Sequence, residues 1–290
     1  MARILIAGGT GFVGSNLARY FGERYEVITA SRHRQENAEH EWLCLDITKP
    51  QTTVELVCRL APNVVINVAG IKDVRFCEHN PLYAFRVNGQ GTGNLASACR
   101  KVGSKLIYVS SDLVFPSSRG WYTEIDIPCS PLVYGQSKLL GEYRAMRALD
   151  NLAICRSGGV YGKGSPLLRW AAEEITAGRP LECFTDVFNT PTYAYNLAAM
   201  IAEIIDRDLS GIFHTVGTER VHRLDFFSGF ARTFGLDCSL LQPALIASRR
   251  SSMLLMPDSS LSSVITAGVL NTRGTPLDEG FRMLREDTGY

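Results

Sequence analysis

Apolar residues in this 290-residue chain fall into short β-rich runs separated by longer amphipathic stretches. RILIA (3–7), EVITA (26–30), WLCLD (42–46), NVVINVA (63–69), KLIYVS (105–110) and LAICRS (152–157) are too short for helices and read as buried strands. Between them FVGSNLARYF (12–21), residues 53–60, residues 81–103 and residues 133–149 carry helical periodicity. The stretch 81–103 predicts one long helix, opened by Pro81 and closed by Gly103. Alternation of this kind predicts an α/β fold with a doubly wound parallel sheet, the Rossmann arrangement, whose ligands lie at the carboxyl ends of the strands. Past residue 157 the rhythm loosens into helices at SPLLRWAAEEITAGRP and NLAAMIAEIID and short strands at LECF and GIFHTVG. From Thr218 the pattern is helical and loop-rich, with a serine-rich tail. Residues 1–157 therefore form the first domain and 158–290 a smaller interleaved region, with about 190–217 returning to pack on the first; no flexible linker divides them.

Composition narrows the function classes. Thirty Lys+Arg against 29 Asp+Glu leave a net charge of +1, which gives no reason to expect a nucleic-acid or membrane-surface partner. No stretch approaches the roughly 20 apolar residues of a membrane span, and the amino terminus has no signal-peptide pattern. The eight cysteines are scattered without a CxxC pair, which reads as reduced, mostly buried thiols in a cytoplasmic protein. The five histidines show no ligand spacing, so no metal site is expected.

GGTGFVG (8–14) joins the first strand to the first helix. Glycines at 8, 11 and 14 let the backbone turn tightly and approach a pyrophosphate, which the helix N-terminus then holds. Gly8, Gly11, Phe12, Val13 and Gly14 are thus candidates for a dinucleotide site, and residues 1–157 for an NAD(P)-binding domain. At the end of the second strand, where NAD sites usually carry an acid, stand Ser31, Arg32, His33 and Arg34. Guanidinium groups suit a 2′-phosphate, so Ser31, Arg32 and Arg34 favour NADP(H) and leave NAD(H) open; a solvated basic loop is the alternative. Asp46, beside Ile47, is a candidate for the adenine edge or for capping the turn that follows.

Tyr134 and Lys138 are four apart on a helix and share a face. A neighbouring ammonium predicts a tyrosine pKa below its usual value of about 10, so that the phenol exchanges a proton with a substrate oxygen near neutral pH. The pattern gains weight from the strand ending in Ser110, Ser111 and Asp112, three polar side chains where packing needs none.

GGTGFVG, INVAG (66–70), VN at 87–88, SSD at 110–112 and YGQSK (134–138) resemble the extended short-chain dehydrogenase/reductase superfamily. Within it the chain is most similar to dTDP-4-dehydrorhamnose reductases, through SSDLVF, VYGQSKLLGE, RSGGVYG, TPTYAYNLA, GIFHTVG and MPDSSL in order. The resemblance implies NADPH-dependent reduction of a keto group on a nucleotide-linked deoxysugar. It makes Ser111 the hydroxyl that bonds the substrate carbonyl, Tyr134 the general acid, and Lys138 the group that bonds the nicotinamide ribose. Val68, Ala69 and Gly70 would pass beside the cofactor, and Asn88 would be structural. Region 158–290 would mainly bind substrate, and a homodimer stays open.

The same resemblance separates neighbouring activities. Sugar-nucleotide dehydratases follow the hydroxyl residue with Asp-Glu; here Leu113 follows Asp112, so dehydration is not expected. An epimerase, another keto-reductase, or a non-catalytic NADP-binding protein like the regulatory subunit of methionine adenosyltransferase are the alternatives. Leu113 and Gly159 stand where the family carries a tyrosine and a tryptophan in its sugar pocket, and with Gly158 they predict a wider pocket here. Arg169, Arg220, Arg249 and Arg250 are candidates for binding a diphosphate, each with a solvated charge as the alternative. Tyr161, Thr192 and Tyr193 fit family positions and equally fit a core.

Overall fold

The short apolar runs become strands of one sheet. In the computed structural model, which describes residues 2–34, 40–248 and 254–289, β1 (Arg3–Ala7) leads into α1 (Phe12–Gly22), followed by β2 (Glu26–Ser31) and β3 (Glu41–Cys44). Next come α2 (Pro50–Leu60), β4 (Val64–Asn67), α3 (Val74–His79) and the short α4 (Pro81–Ala84). A π-helical segment, Phe85–Gly91, runs into α5 (Thr92–Val102), then β5 (Lys105–Ser111), α6 (Val133–Ala148) and β6 (Leu152–Ser157). The second half holds β7 (Val160–Tyr161), α7 (Pro166–Thr176), β8 (Leu181–Phe184), β9 (Phe188–Asn189), β10 (Thr192–Tyr193), α8 (Ala194–Asp206) and β11 (Gly211–His214). It ends with β12 (Val221–His222), α9 (Arg223–Phe234), β13 (Leu241–Ala244), α10 (Val264–Val269) and α11 (Leu277–Thr288).

Seven strands, all parallel, lie in the order β3-β2-β1-β4-β5-β6-β11. This is the doubly wound α/β arrangement, with its order reversal between β1 and β4. The period-2 geometry of a strand explains its two-sided burial. Ile4 and Ile6 of β1 pack with Leu17, Phe21, Leu197 and Ile201 on one face of the sheet. Leu5 and Ala7 pack on the other, with Leu95, Leu106 and Ile154. A separate core joins α7, α9 and α11 through Leu168, Phe226, Phe230 and Phe281, and Tyr161 and Tyr193 are buried in it. Thr192 is fully buried as well.

The helix expected over 81–103 runs without a break from Pro81 to Val102 and is closed by Gly103, with a π-helical segment at Phe85–Gly91 in its middle. One expectation is corrected. The thiols are not mostly buried: Cys77, Cys99, Cys155 and Cys183 are, whereas Cys44, Cys58, Cys129 and Cys238 are exposed, and all eight are unpaired. Among the described residues no cluster of His, Cys, Asp and Glu could hold a metal, and no helix is long and apolar enough to cross a membrane.

Candidate active site

The site begins where β1 ends. Gly8 has φ +85°, a left-handed conformation that favours glycine, and its N–H donates to the Ala30 carbonyl at 2.7 Å. A Cβ on Gly8 would lie 2.6 Å from the Ala69 nitrogen, and one on Gly14 would lie 2.2 Å from the Gly8 carbonyl oxygen. The loop is therefore packed too closely for any larger residue. Gly11, at the N-cap of α1, has no side chain to cap the helix, which leaves its first-turn amides available to an anion.

These residues line a cavity of about 330 Å³. Gly8, Gly11, Phe12, Val13 and Gly14 form one end, and Ser31, Arg32 and His33 the other. Asp46, Ile47, Val68, Ala69 and Gly70 lie along its wall. Arg34 is exposed and stands outside that lining. The Ser31 hydroxyl donates to the His33 carbonyl at 2.6 Å and accepts from the Trp42 indole at 2.9 Å. The Arg32 guanidinium donates to the Tyr83 hydroxyl at 2.6 Å. Asp46 accepts from the Thr48 amide and hydroxyl at 3.0 and 2.7 Å, so it caps the turn and lines the cavity at once. Burial raises its pKa, but those two bonds and the charges of Arg32 and Lys49 outweigh burial and hold the carboxyl below its usual range.

Asn88 stands just behind this wall, fully buried in the π turn. Its carbonyl oxygen accepts from the Ile71 amide at 2.8 Å, and its NH2 donates to the Ile71 carbonyl at 3.0 Å and the Ser137 hydroxyl at 2.8 Å. One side chain thus ties the segment after β4 to α6. Thr10, Leu45, Ile71, Lys72 and Val87 also line the cavity and were not anticipated; Ile71 and Lys72 simply continue the VAG run, which was the available signal.

A second cavity, of about 290 Å³, shares Phe12, Val13, Val68, Gly70, Ile71 and Lys72 with the first. Ser111, Tyr134 and Lys138 line it together. Ser111 ends β5, where the Ser111–Ser157 pairing closes the β5–β6 ladder, while Tyr134 and Lys138 lie on the first turns of α6. The Ser111 hydroxyl donates to Asp112 at 2.9 Å and accepts from the Leu113 amide at 3.1 Å. Asp112 is itself buried and accepts from the Ser259 hydroxyl at 2.7 Å. Burial pushes the Asp112 carboxyl up, partly opposed by its bonds with Ser259, Ser111 and Leu113 and by the Arg223 charge.

The expected depression of the Tyr134 pKa is overturned. Burial pushes the phenol up to about 12; hydrogen bonding with Ser111 opposes this, and the charge of Asp112 adds to it. Lys138 shifts the opposite way. Burial brings its ammonium down to about 7, against the opposing charge of Glu142 one turn later. The amine donates to the Val109 carbonyl at 2.8 Å and sits 4.2 Å from the centre of the Tyr108 ring. Glu142 is spent on a fully buried pair with Arg156, at 2.7 and 3.1 Å, and accepts from Ser110 at 2.5 Å.

Leu113, Gly158 and Gly159, from which a wider pocket is expected, all line the second cavity. A Cβ on Gly158 would meet the Thr190 carbonyl oxygen at 2.0 Å, so backbone fills that side, whereas one on Gly159 would meet only the end of the Asn189 side chain, at 2.7 Å. Of the diphosphate candidates, Arg220 is paired with Asp258 at 2.7 Å and Arg169 lines a different cavity, with Phe230 and Leu284. Arg249 and Arg250 lie outside the described residues.

This arrangement has counterparts among known proteins. A probable low-salt glycan biosynthesis reductase of Haloferax volcanii is 32% identical over 255 residues, covering 83% of each chain. A dTDP-4-dehydrorhamnose reductase of Streptomyces griseus is 32% identical over 228 residues, covering 74% of this chain and 71% of that one. The crystal structure of a hypothetical dTDP-4-dehydrorhamnose reductase from Sulfolobus tokodaii superposes with a TM-score of 0.85 at 28% identity, covering 96% of this chain and 98% of that one. Residues 2–263 match the RmlD substrate binding domain, and the chain belongs to that family.

Proposed function

We propose that the chain uses NADPH to reduce a keto group on a nucleotide-linked deoxysugar. The observation that carries this reading is the junction of the two cavities: the shared wall Phe12, Val13, Val68 and Gly70 leads from the glycine loop to Ser111, Tyr134 and Lys138. The sugar-nucleotide substrate class is supported by the relatives named as dTDP-4-dehydrorhamnose reductases. The residues present fit the cofactor. Gly8 and Gly14 form a cradle that a Cβ would fill, the α1 amides suit a pyrophosphate, and Arg32 suits a 2′-phosphate at the far end. When bound, the nicotinamide supplies the hydride.

The chain's own part is proton chemistry and positioning. Tyr134, with its pKa pushed up to about 12, keeps its phenol proton at neutral pH and donates it to the carbonyl oxygen as that oxygen gains charge. Ser111 hydrogen-bonds the same oxygen by turning its hydroxyl from Asp112. Asp112, anchored by Ser259, holds the end of β5 in place for that turn. Lys138 offers an ammonium to a ribose hydroxyl from within the cavity wall. The test is a panel of nucleotide-linked 4-keto-sugars incubated with NADPH or NADH, following loss of cofactor absorbance. Oxidation of NADPH by at least one sugar is expected; no oxidation of either cofactor by any of them removes the reading in favour of a binding or regulatory protein.

A further inference from the structure

Gly159 lines the same cavity as Ser111 and Tyr134, and the place where its side chain would project is filled from β9. The Asn189 carboxamide nitrogen lies 2.7 Å from that Cβ position. The backbone that delivers it is fixed on several sides. Asn189 pairs with Val221 in the antiparallel β9–β12 ladder. The preceding Phe188 donates its N–H to the Pro257 carbonyl at 2.8 Å and accepts from the Ser259 amide at 3.0 Å. The next residue, Thr190, is fully buried and its hydroxyl accepts from the Leu261 amide at 3.0 Å.

The Asn189 side chain contrasts with this. It is half-buried, yet it makes no hydrogen bond to any described residue. A carboxamide offers two N–H donors and a carbonyl oxygen with two lone pairs; this one abuts Gly159, which lines the cavity, and a group with none of them matched at that edge is placed to meet a ligand. Next to β9 and β12 the charges are Arg220 and Arg223, and Arg223, at the start of α9, acts on Asp112. Arg220 is committed to Asp258 and stacks 3.5 Å over the Phe188 ring, so the group this corner offers beside Gly159 is the neutral carboxamide.

We propose that Asn189 is a specificity-determining residue, whose carboxamide hydrogen-bonds a ring hydroxyl of the sugar beside the keto carbon that Ser111 and Tyr134 address. This assignment rests on the keto-sugar reductase reading. A hydroxyl both donates and accepts, as the carboxamide does. A site built to bond a hydroxyl discriminates strongly against the analogue lacking it, because the protein group is then left unmatched. Gly159 is the complement of this device: it is the residue at that position that leaves the carboxamide its place.

The test compares nucleotide-linked 4-keto-sugars that carry or lack the hydroxyl adjacent to the ketone, with NADPH, in the wild type, Asn189→Ala and Gly159→Ala. The wild type is expected to prefer the hydroxylated sugar at least about ten-fold in kcat/KM. Asn189→Ala raises KM for that sugar by about the same factor, leaves the deoxy sugar and the KM for NADPH unchanged, and so erases the preference. Gly159→Ala, whose methyl displaces the carboxamide, erases it too. A merely structural role would weaken both sugars alike, and a wild-type preference ratio in Asn189→Ala overturns the assignment while leaving the reductase reading intact. Should the wild type reduce no sugar, the reductase reading falls. Calorimetric titration of the same sugars then decides on Asn189: a binding preference lost in the variant supports it, and no preference overturns it.

Discussion

A phenol that keeps its proton to about pH 12 is a durable acid and a poor base, which suits Tyr134 to reduction more than to proton abstraction. Tyr134→Phe is expected to lower kcat by about 10²–10⁴-fold with KM for NADPH nearly unchanged, as steady-state kinetics will report. Lys138 gives a prediction about stability. Its ammonium titrates near 10.5 in the unfolded chain and at about 7 in the folded one. Below about 7 both states are protonated and the cost of burying the charge is fully present. Between the two values the unfolded chain binds the extra proton, so the Lys138 contribution to stability rises with pH across that window. Lys138→Met, which removes the buried ammonium, is therefore expected to melt higher than the wild type at pH 7 while losing activity. Thermal melts of the two at pH 7, 8 and 9 should show the gap narrowing as pH rises; a constant gap would refute the buried-ammonium account.

Most elements were legible because their physics is local. Pro81 at the start of α4 and Gly103 (φ +73°) after α5 mark helix ends in the sequence as they do in the fold. The π turn was not legible, since its cause is tertiary. A Cβ on Gly89 would lie 2.6 Å from Leu140 of α6, and one on Gly91 would lie 2.7 Å from Ile47. Glycine spacing looks like tolerated helix interior until the neighbours are known. The same holds at the site. Ser111, Tyr134 and Lys138 announce themselves by a polar strand end and a helical spacing, whereas the Asp112–Ser259 bond and the Gly159–Asn189 contact join residues far apart in the chain. The Tyr134 pKa direction failed for a related reason: spacing places Lys138 near Tyr134 but says nothing of burial, which dominates both groups. The glycine loop gives an element-scale prediction. Gly14→Ala sets a methyl against the Gly8 carbonyl oxygen, so it should cost about 1–3 kcal/mol of stability and abolish tight NADPH binding, measured by denaturant unfolding and fluorescence titration.

At the scale of the whole molecule, 30 basic and 29 acidic groups nearly cancel, so the recognition of a phosphate depends on where single cations are held. At the far end of the cofactor cavity that cation is Arg32, and the hydrogen bond that holds it comes from another part of the chain, the Tyr83 hydroxyl of α4. Ser31 adds little, because its hydroxyl already donates to His33 and accepts from Trp42. Arg34 points to solvent outside the cavity lining. On the proposed reading, preference for a 2′-phosphate rests on one guanidinium positioned by one phenol, which fixes the planar group so that less freedom is lost on binding. Arg32→Ala should raise KM for NADPH at least about ten-fold, a loss in the range of a charge-assisted hydrogen bond, and leave KM for NADH within about two-fold. Tyr83→Phe keeps the charge but releases it, and should reproduce a smaller part of that loss, again for NADPH alone. Arg34→Ala should change neither. Equal losses for NADPH and NADH in Tyr83→Phe would mean that the hydroxyl supports the loop as a whole instead of aiming Arg32, and an Arg34 variant that loses NADPH selectively would move the phosphate site out to the solvent-facing loop.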